Sequence, residues 1–522
     1  MKKSLLLGVL LFASQGFAAE YLVKYKSTSA LSSLGAMTMS KDAKLMVTDH
    51  NPTASLVKVK VDKQNEASTL AQLMSQPGVE YVVPNFKLRA FSEPVTVAAL
   101  KDQWANTKVQ AQKAWQRAGN KGAKNVIVAV IDTGVDYRHE SLAPNMMPGY
   151  DFRENDADPM DKTSRQNPGH GTHCAGSVAG TGLVDGGIEG LAPGITMMPL
   201  RFLGEDGSGD LNNAIKAIDY AVEKGAQIIS ASWGASVPRS TAAPLLEAIK
   251  RADDKGVVFI AAAANDGRNN DRTEVYPANN GLPNSITVAA SGPNDTKPSW
   301  SNFGKGSVHV SAPGENIIST LPGNKYGNLS GTSMATPLVS GLAALLKSQD
   351  PSLTGAQIRA IMQSTGAKVS IETACNCRVD AFNAVDAVLS KKMILVPAAT
   401  TIQANQAIQT SVMNGVGPFT YTSSNPAIAT VDANGVVTGV ANGTTTITVT
   451  DSKGTTFTSL DYNVGRASGG GGTPPPPDDG GGPGWPDPGN PGEPGECPLG
   501  DPMLCQIICS IQPDLPFCQQ QQ

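Results

Sequence analysis

Charge is scarce in this chain of 522 residues: Asp, Glu, Lys and Arg together make up 16% of it, and the formal net charge is only −4. A coiled coil carries far more charge and a nucleic-acid binder a basic surplus, so neither class fits. No run of 18 or more apolar residues is present, so no membrane span is expected. Disorder throughout is excluded by a hydrophobic content of 40%. Histidine is rare, five in all with His309 the last, and no long-range internal repeat is evident. What remains is a globular chain, too long for a single core.

The termini carry little that could form a core. In residues 1–18, Lys2-Lys3 precede an apolar stretch from Leu5 to Phe12 and the small residues Gly16 and Ala18, the pattern of an export signal cleaved after Ala18. No Cys follows that point to take a lipid, and the thiols of an exported chain can oxidise. Residues 467–496 hold 11 Gly and 9 Pro in 30 positions and read as a semi-extended linker. The tail, 497–522, carries Cys497, Cys505, Cys509 and Cys518, which read as two disulfides with three connectivities open. A zinc site would want a C-x-x-C pair that these spacings lack.

Residues 393–466 show short β-type runs, including the alternating Thr444 to Thr450, with turn signals at Asn434-Gly435 and Lys453-Gly454. A small all-β sandwich is expected. From Ser424 to Val449 the segment resembles the bacterial Ig-like domains of the group 2 kind, and that resemblance implies an adhesive or spacing module.

Between these parts, residues 101–392 alternate strand and helix. Val126 to Ile131 is an unbroken apolar run ending at Asp132, typical of a strand buried on both faces. Asp210 caps a helix with apolar positions Leu211, Ala214, Ile215, Ile218 and Val222, ended by Gly225. A strand (Gln227 to Ser232), a helix (Pro244 to Lys255) and two more strands (Val257 to Ala264, Ile286 to Ala290) follow. The expected fold class is therefore α/β, a doubly wound parallel sheet with helices on both faces, whose chemistry gathers at the carboxyl ends of the strands.

Four polar residues follow or flank apolar structure: Asp132 in Asp-Thr-Gly, His170 in Gly-His-Gly-Thr-His, Asn265 in Ala-Asn-Asp-Gly and Ser333 in Gly-Thr-Ser-Met-Ala. A serine hydroxyl needs a base to become a nucleophile, and that base needs a third group to fix its tautomer. An α/β-hydrolase places its histidine after the serine, which is excluded because His309 precedes Ser333. The order Asp, His, Ser on a parallel sheet is that of subtilisin. Through Asp-Thr-Gly, His-Gly-Thr-His-Cys-Ala-Gly, Gly-Ser-Gly, Ser-Trp-Gly, Ala-Asn-Asp-Gly and Gly-Thr-Ser-Met-Ala-Thr-Pro, residues 101–392 resemble a subtilisin-like serine protease domain.

That resemblance implies a secreted serine endopeptidase, with retention at the cell surface left open. Ser333 would be the nucleophile, His170 the base, Asp132 its orienting partner and Asn265 the oxyanion donor. Polypeptide substrates would lie between Gly207-Ser208-Gly209 and Ser232-Trp233-Gly234. Trp233, where an aliphatic residue is usual, would either widen the wall of the substrate groove or pack beneath a loop. Asp266, Asp271 and Glu274, on the lower rim of the primary pocket, would allow a basic preference. His173, three residues from His170, is the rival base within the motif.

No cofactor is expected for catalysis, and the enzyme is expected to act as a monomer. Structural Ca²⁺ is suggested by the oxygen-rich loop carrying Asp151, Asp156, Asp158 and Asp161, although Ser141 replaces an Asp of the family's strong calcium site. Cys174 reads as a buried free thiol. Cys375 and Cys377 are too close to pair in regular structure, and their partners stay open. Residues 19–100, with strands at Tyr21 to Tyr25, Leu56 to Val61 and Val79 to Phe86 and a helix at Glu66 to Ser75, resemble the family's inhibitor-type pro-segment. The segment would assist folding, occupy the active site with its tail and be cleaved near Ala98 to Lys101. The competing function is an inactive protease-like scaffold that acts by adhesion through its Ig-like module.

Overall fold

A computed structural model describes residues 17–26, 45–91, 93–96, 103–184 and 187–465. The first 16 residues of the expected export signal, the linker, the tail cysteines and the stretch Ala98 to Lys101 lie outside them. Two compact units divide between Phe86 and Lys87.

In the first unit, four antiparallel strands are ordered Leu45–Asn51, Leu56–Asp62, Phe17–Tyr25, Val79–Pro84. Alternate residues Tyr21, Val23, Tyr25 and Val57, Val59, Val61 face one core, where Leu70 and Leu73 of the helix Glu66–Met74 cover them. The edge strand Leu45–Asn51 was not foreseen. Its exposed and half-buried middle carries no alternation to read.

The second unit is built on a nine-stranded sheet. Its order is Ala367–Lys368, Cys377–Arg378, Val310–Pro313, Ser285–Ser291, Val258–Ala262, Ile228–Ala231, Ile127–Asp132, Thr196–Arg201, Tyr150–Asp151. All pairs are parallel except the first at the Ala367 edge. The expected doubly wound α/β arrangement is what forms. Chain order reverses beside Ile127–Asp132, which puts the carboxyl ends of that strand and of Ile228–Ala231 at a topological switch point. The helix Thr332–Gln349 is buried along nearly its whole length and packs on five strands of the sheet and on the helix His170–Ala179. A helix apolar all round can exist only in such a place.

After the helix Ala381–Leu389, the strand Ile394–Val396 serves two cores at once. Ile394 and Val396 join the core of the α/β layer, while Met393 and Leu395 join the β-sandwich core with Ile402, Val437, Ile447 and Tyr462. Period-two alternation makes this sharing possible. The Ig-like module is therefore docked on the α/β layer. The alternating stretch Thr444 to Thr450 divides at Thr446 into Gly443–Thr445 and Ile447–Thr450, which belong to different sheets.

Candidate active site

Asp132 ends the central strand, and the helix His170–Ala179 begins at His170. Both side chains are buried, and Asp132 Oδ1 lies 2.7 Å from His170 Nδ1. The carboxylate oxygen accepts, so Nδ1 carries the proton and Nε2 is left as a base. His170 Nε2 is buried with no hydrogen-bond partner. Burial works against the imidazolium, but the charge of Asp132 and its hydrogen bond hold the His170 pKa well above the ordinary value.

Ser333 is the second residue of its helix. Cys174 Sγ lies 3.4 Å from Ser333 O and 4.0 Å from His170 Nδ1, so one thiol touches both residues. A hydrogen bond from Ser333 to His170 was the expectation. Instead, Ser333 Oγ donates to the backbone oxygen of Ser232 at 2.8 Å. The hydroxyl hydrogen can turn about the Cβ–Oγ bond toward another acceptor, and catalytic contacts of this type are often long until substrate is engaged.

Asn265 follows Ala264, a non-glycine residue at φ 91°. The Ala264 backbone is tied on both sides, its N–H donating to Thr332 Oγ1 at 3.2 Å and its carbonyl accepting from Asn302 N at 3.0 Å. Such strained backbone persists only where neighbours over-determine it. Asn265 Oδ1 accepts from Thr332 N at 2.9 Å and Thr332 Oγ1 at 2.8 Å. Because a backbone N–H can only donate, the amide orientation is fixed, and Nδ2 is the buried donor left unpaired. Ser333 N–H, at the helix start, has no acceptor within its own helix. These two donors suit a developing oxyanion.

The two segments expected to form edges lie on either side of one strand. Ser208–Asp210 and Trp233–Gly234 form a three-stranded sheet with Lys87–Ala90 between them, all antiparallel. Gly207 contributes its carbonyl, which accepts from Ala90 N at 3.0 Å. At Gly209 a Cβ would stand 2.6 Å from Phe202 O, so only glycine lets the edge approach. Trp233 does not form a groove wall: its ring is fully buried, Nε1 donates to Ile131 O at 2.7 Å, and Phe202 packs edge-on at 4.9 Å. The strand's alternation turns that side chain inward, so only its backbone serves the edge. Two of the three rim acids are engaged by neighbouring groups. Asp271 accepts from Gly306 N and Ser307 Oγ, and Glu274 accepts from Tyr276 OH.

His173 is no rival base. Its Nε2 lies 2.8 Å from Ile317 O and 3.2 Å from Gly327 O, two acceptors that require Nε2 to be protonated, and burial lowers its pKa to about 3. Burial raises the pKa of the Cys174 thiol, which stays neutral and free.

The four loop aspartates do not converge. Asp151 is buried, accepting from Arg153 N and Glu154 N and paired with Arg201. Asp156 and Asp158 are exposed, one accepting from Asp158 N and the other from Tyr137 OH. Asp161 is buried and accepts from Thr133 Oγ1, Asn167 Nδ2, Thr172 N and Thr172 Oγ1 at 2.7–3.0 Å. With the buried carboxylates already filled by protein donors, the set does not fit one calcium ion held by all four. Among the described residues, the one group of three metal-type side chains drawn together is Asp132, His170 and Cys174.

Sequence reasoning missed what Asp161 does. The residue ties Thr133, next to Asp132, to Thr172 and Asn167, whose Oδ1 accepts from His170 N at 2.8 Å. Thr332, which orients Asn265, was missed as well. Cys375 and Cys377 are bonded to each other, with Cα atoms 5.1 Å apart. Cys375 lies in the turn that leads into the strand Cys377–Arg378, and Asn376 between them sits at φ 47°, a departure from the regular backbone that would have kept the two apart.

A buried Asp–His pair, a serine at a helix start and a buried amide donor without a partner, all on a doubly wound sheet, are the parts that a serine-hydrolase type of site requires. The chain belongs to the subtilase family, whose model matches residues 123–408. Among curated relatives, the thermophilic serine proteinase of Bacillus sp. (strain AK1) is 39% identical over 306 residues, covering 59% of this chain and 72% of the relative. Thermitase of Thermoactinomyces vulgaris is 41% identical, covering 51% of this chain and 89% of the relative. The major intracellular serine protease of Bacillus subtilis (strain 168) is 42% identical, with 46% and 74% covered. Residues 403–453 match the intimin immunoglobulin-like domain. An Ig-like module is therefore shown, with its match to the intimin type. No helix among the described residues is long and apolar enough to cross a membrane.

Proposed function

We propose that this subtilase is an exported serine endopeptidase, made as a zymogen, that hydrolyses peptide bonds through an acyl-enzyme. The observation that carries the reading is the buried 2.7 Å contact of Asp132 with His170, whose other ring nitrogen is left without a partner, while the Cys174 thiol touches both His170 and Ser333. Ser333 Oγ attacks the scissile carbonyl carbon while His170 Nε2 takes its proton. Asn265 Nδ2 and Ser333 N–H hold the negative oxygen. His170 then gives the proton to the leaving amine, and water, activated the same way, releases the acid. Asp132 stays ionised and stabilises the imidazolium.

Substrate backbone pairs with the two edges, a mode that tolerates many side chains. The chain's own Lys87–Ala90 takes that place, which supports the zymogen reading. The Cys375–Cys377 disulfide and the N-terminal signal pattern support export. The test compares the full-length wild type with Ser333→Ala on casein. Wild type is expected to shed its pro-segment and digest casein; the variant stays at precursor mass and digests none. Equal processing and digestion by both would overturn the reading.

A further inference from the structure

The segment that follows Lys87–Ala90 does more than block a groove. Phe91 N donates to Ser232 O at 3.3 Å, the same carbonyl that accepts Ser333 Oγ. The Phe91 side chain packs against a buried apolar cluster of Ala264, Val275 and Ala278. Gly234 forms the pocket's side: a Cβ there would stand 2.9 Å from Phe91 Cζ, so a side chain would claim the space of the ring. Two residues on, the backbone of Glu93–Thr96 pairs with Lys325–Ser330, Glu93 opposite Ser330. The chain therefore enters along Ser232–Gly234 and leaves along the strand that runs into Ser333. The bond on the carboxyl side of Phe91 lies where these two pairings hand over.

We propose that this bond, with Phe91 seated in the pocket of Ala264, Val275, Ala278 and Gly234, is the one the enzyme cuts in its own precursor. The proposal rests on the protease reading above. Ser333 Oγ forms an ester with the Phe91 carbonyl carbon as the bond to the Ser92 nitrogen breaks, and that nitrogen leaves with the proton carried by His170. Water then cleaves the ester, its hydroxyl completing the Phe91 carboxyl group and its other proton returning through His170 to Ser333. The expected processing point moves from Ala98–Lys101 back to Phe91. Leu88 is fully buried while Lys87 and Arg89 are exposed, so a second apolar requirement falls three residues upstream of the cut.

The experiment follows processing of the full chain by intact mass and identifies the carboxyl terminus of the released segment. A segment ending at Phe91, absent for Ser333→Ala, is expected. Ser333-dependent release ending at another residue overturns this inference and leaves the protease reading standing; no Ser333-dependent cutting overturns both. Phe91→Asp should slow processing at least about 100-fold and Phe91→Leu less than about tenfold, because a carboxylate cannot enter an apolar pocket. Should Phe91→Asp misfold, the processed wild type decides. Its kcat/KM on a Leu-Arg-Ala-Phe p-nitroanilide should exceed that on the Leu-Arg-Ala-Lys analogue at least about tenfold. Equal or reversed rates would overturn the pocket assignment.

Discussion

Asn265 is anchored by Thr332 through both donors of that residue, which leaves its Nδ2 as an unpaired buried donor beside Ser333. Thr332→Val keeps the shape of the side chain and removes the hydroxyl hydrogen bond. The carboxamide then loses one of its two restraints, and kcat should fall roughly 10- to 100-fold with KM little changed. Asn265→Ala should cost about 10²–10³ in kcat, a magnitude taken over from the matching asparagine of subtilisin. Steady-state kinetics on a p-nitroanilide peptide read both. A matching rise in KM would mean that Asn265 binds ground-state substrate instead.

Asp161 should matter without touching substrate. Asp161→Asn replaces an acceptor of four hydrogen bonds by a group with only one acceptor oxygen. Unfolding in urea should show a loss of about 2 kcal/mol, the scale of hydrogen bonds to a buried charge. The kcat should drop as well, since Thr133 and Asn167 no longer hold Asp132 and His170 in register. Added Ca²⁺ should not restore either quantity.

The pH dependence follows from His170. Its folded pKa is raised above 6.5, so catalysis by the neutral ring should rise with pH through a midpoint above that value. Stability runs the opposite way. A raised histidine pKa means the folded state binds the proton more tightly, so the pair's contribution is complete below pH 6.5 and fades as pH climbs through the folded value. A kcat/KM profile and urea titrations over the same pH range read the two trends. Asp132→Asn should shift the midpoint downward and cut kcat by about 10⁴.

Trp233→Ala should cost about 3–5 kcal/mol in stability, as for other buried aromatic truncations. The side-chain preference in peptide libraries should stay unchanged, because the ring lies beneath the sheet edge and not in the groove. A changed preference would restore the groove-wall reading.

Much of this was legible in the chain itself, for reasons that differ by residue. Val126 to Asp132 announced a doubly buried strand because a strand covered on both faces must be apolar at every position. The order Asp132, His170, Ser333 carried the catalytic reading because each sits in a short motif of distinctive composition. The roles of Thr332, Asp161 and Phe91 were hidden because each depends on a partner far along the chain or on strand register. Thr332 lies 67 residues from Asn265, and Phe91 finds its pocket only when Lys87–Ala90 enters between two edges. Trp233 was ambiguous because alternation tells which residues share a face and not which face looks inward.

The acyl-enzyme mechanism is tested most directly by a fluorophosphonate probe, with the modified residue located by peptide mass spectrometry on the processed protein. A single adduct on Ser333, formed more slowly after His170→Ala and absent after Ser333→Ala, is the predicted result. Labelling of another serine, or equal labelling of wild type and Ser333→Ala, would contradict it.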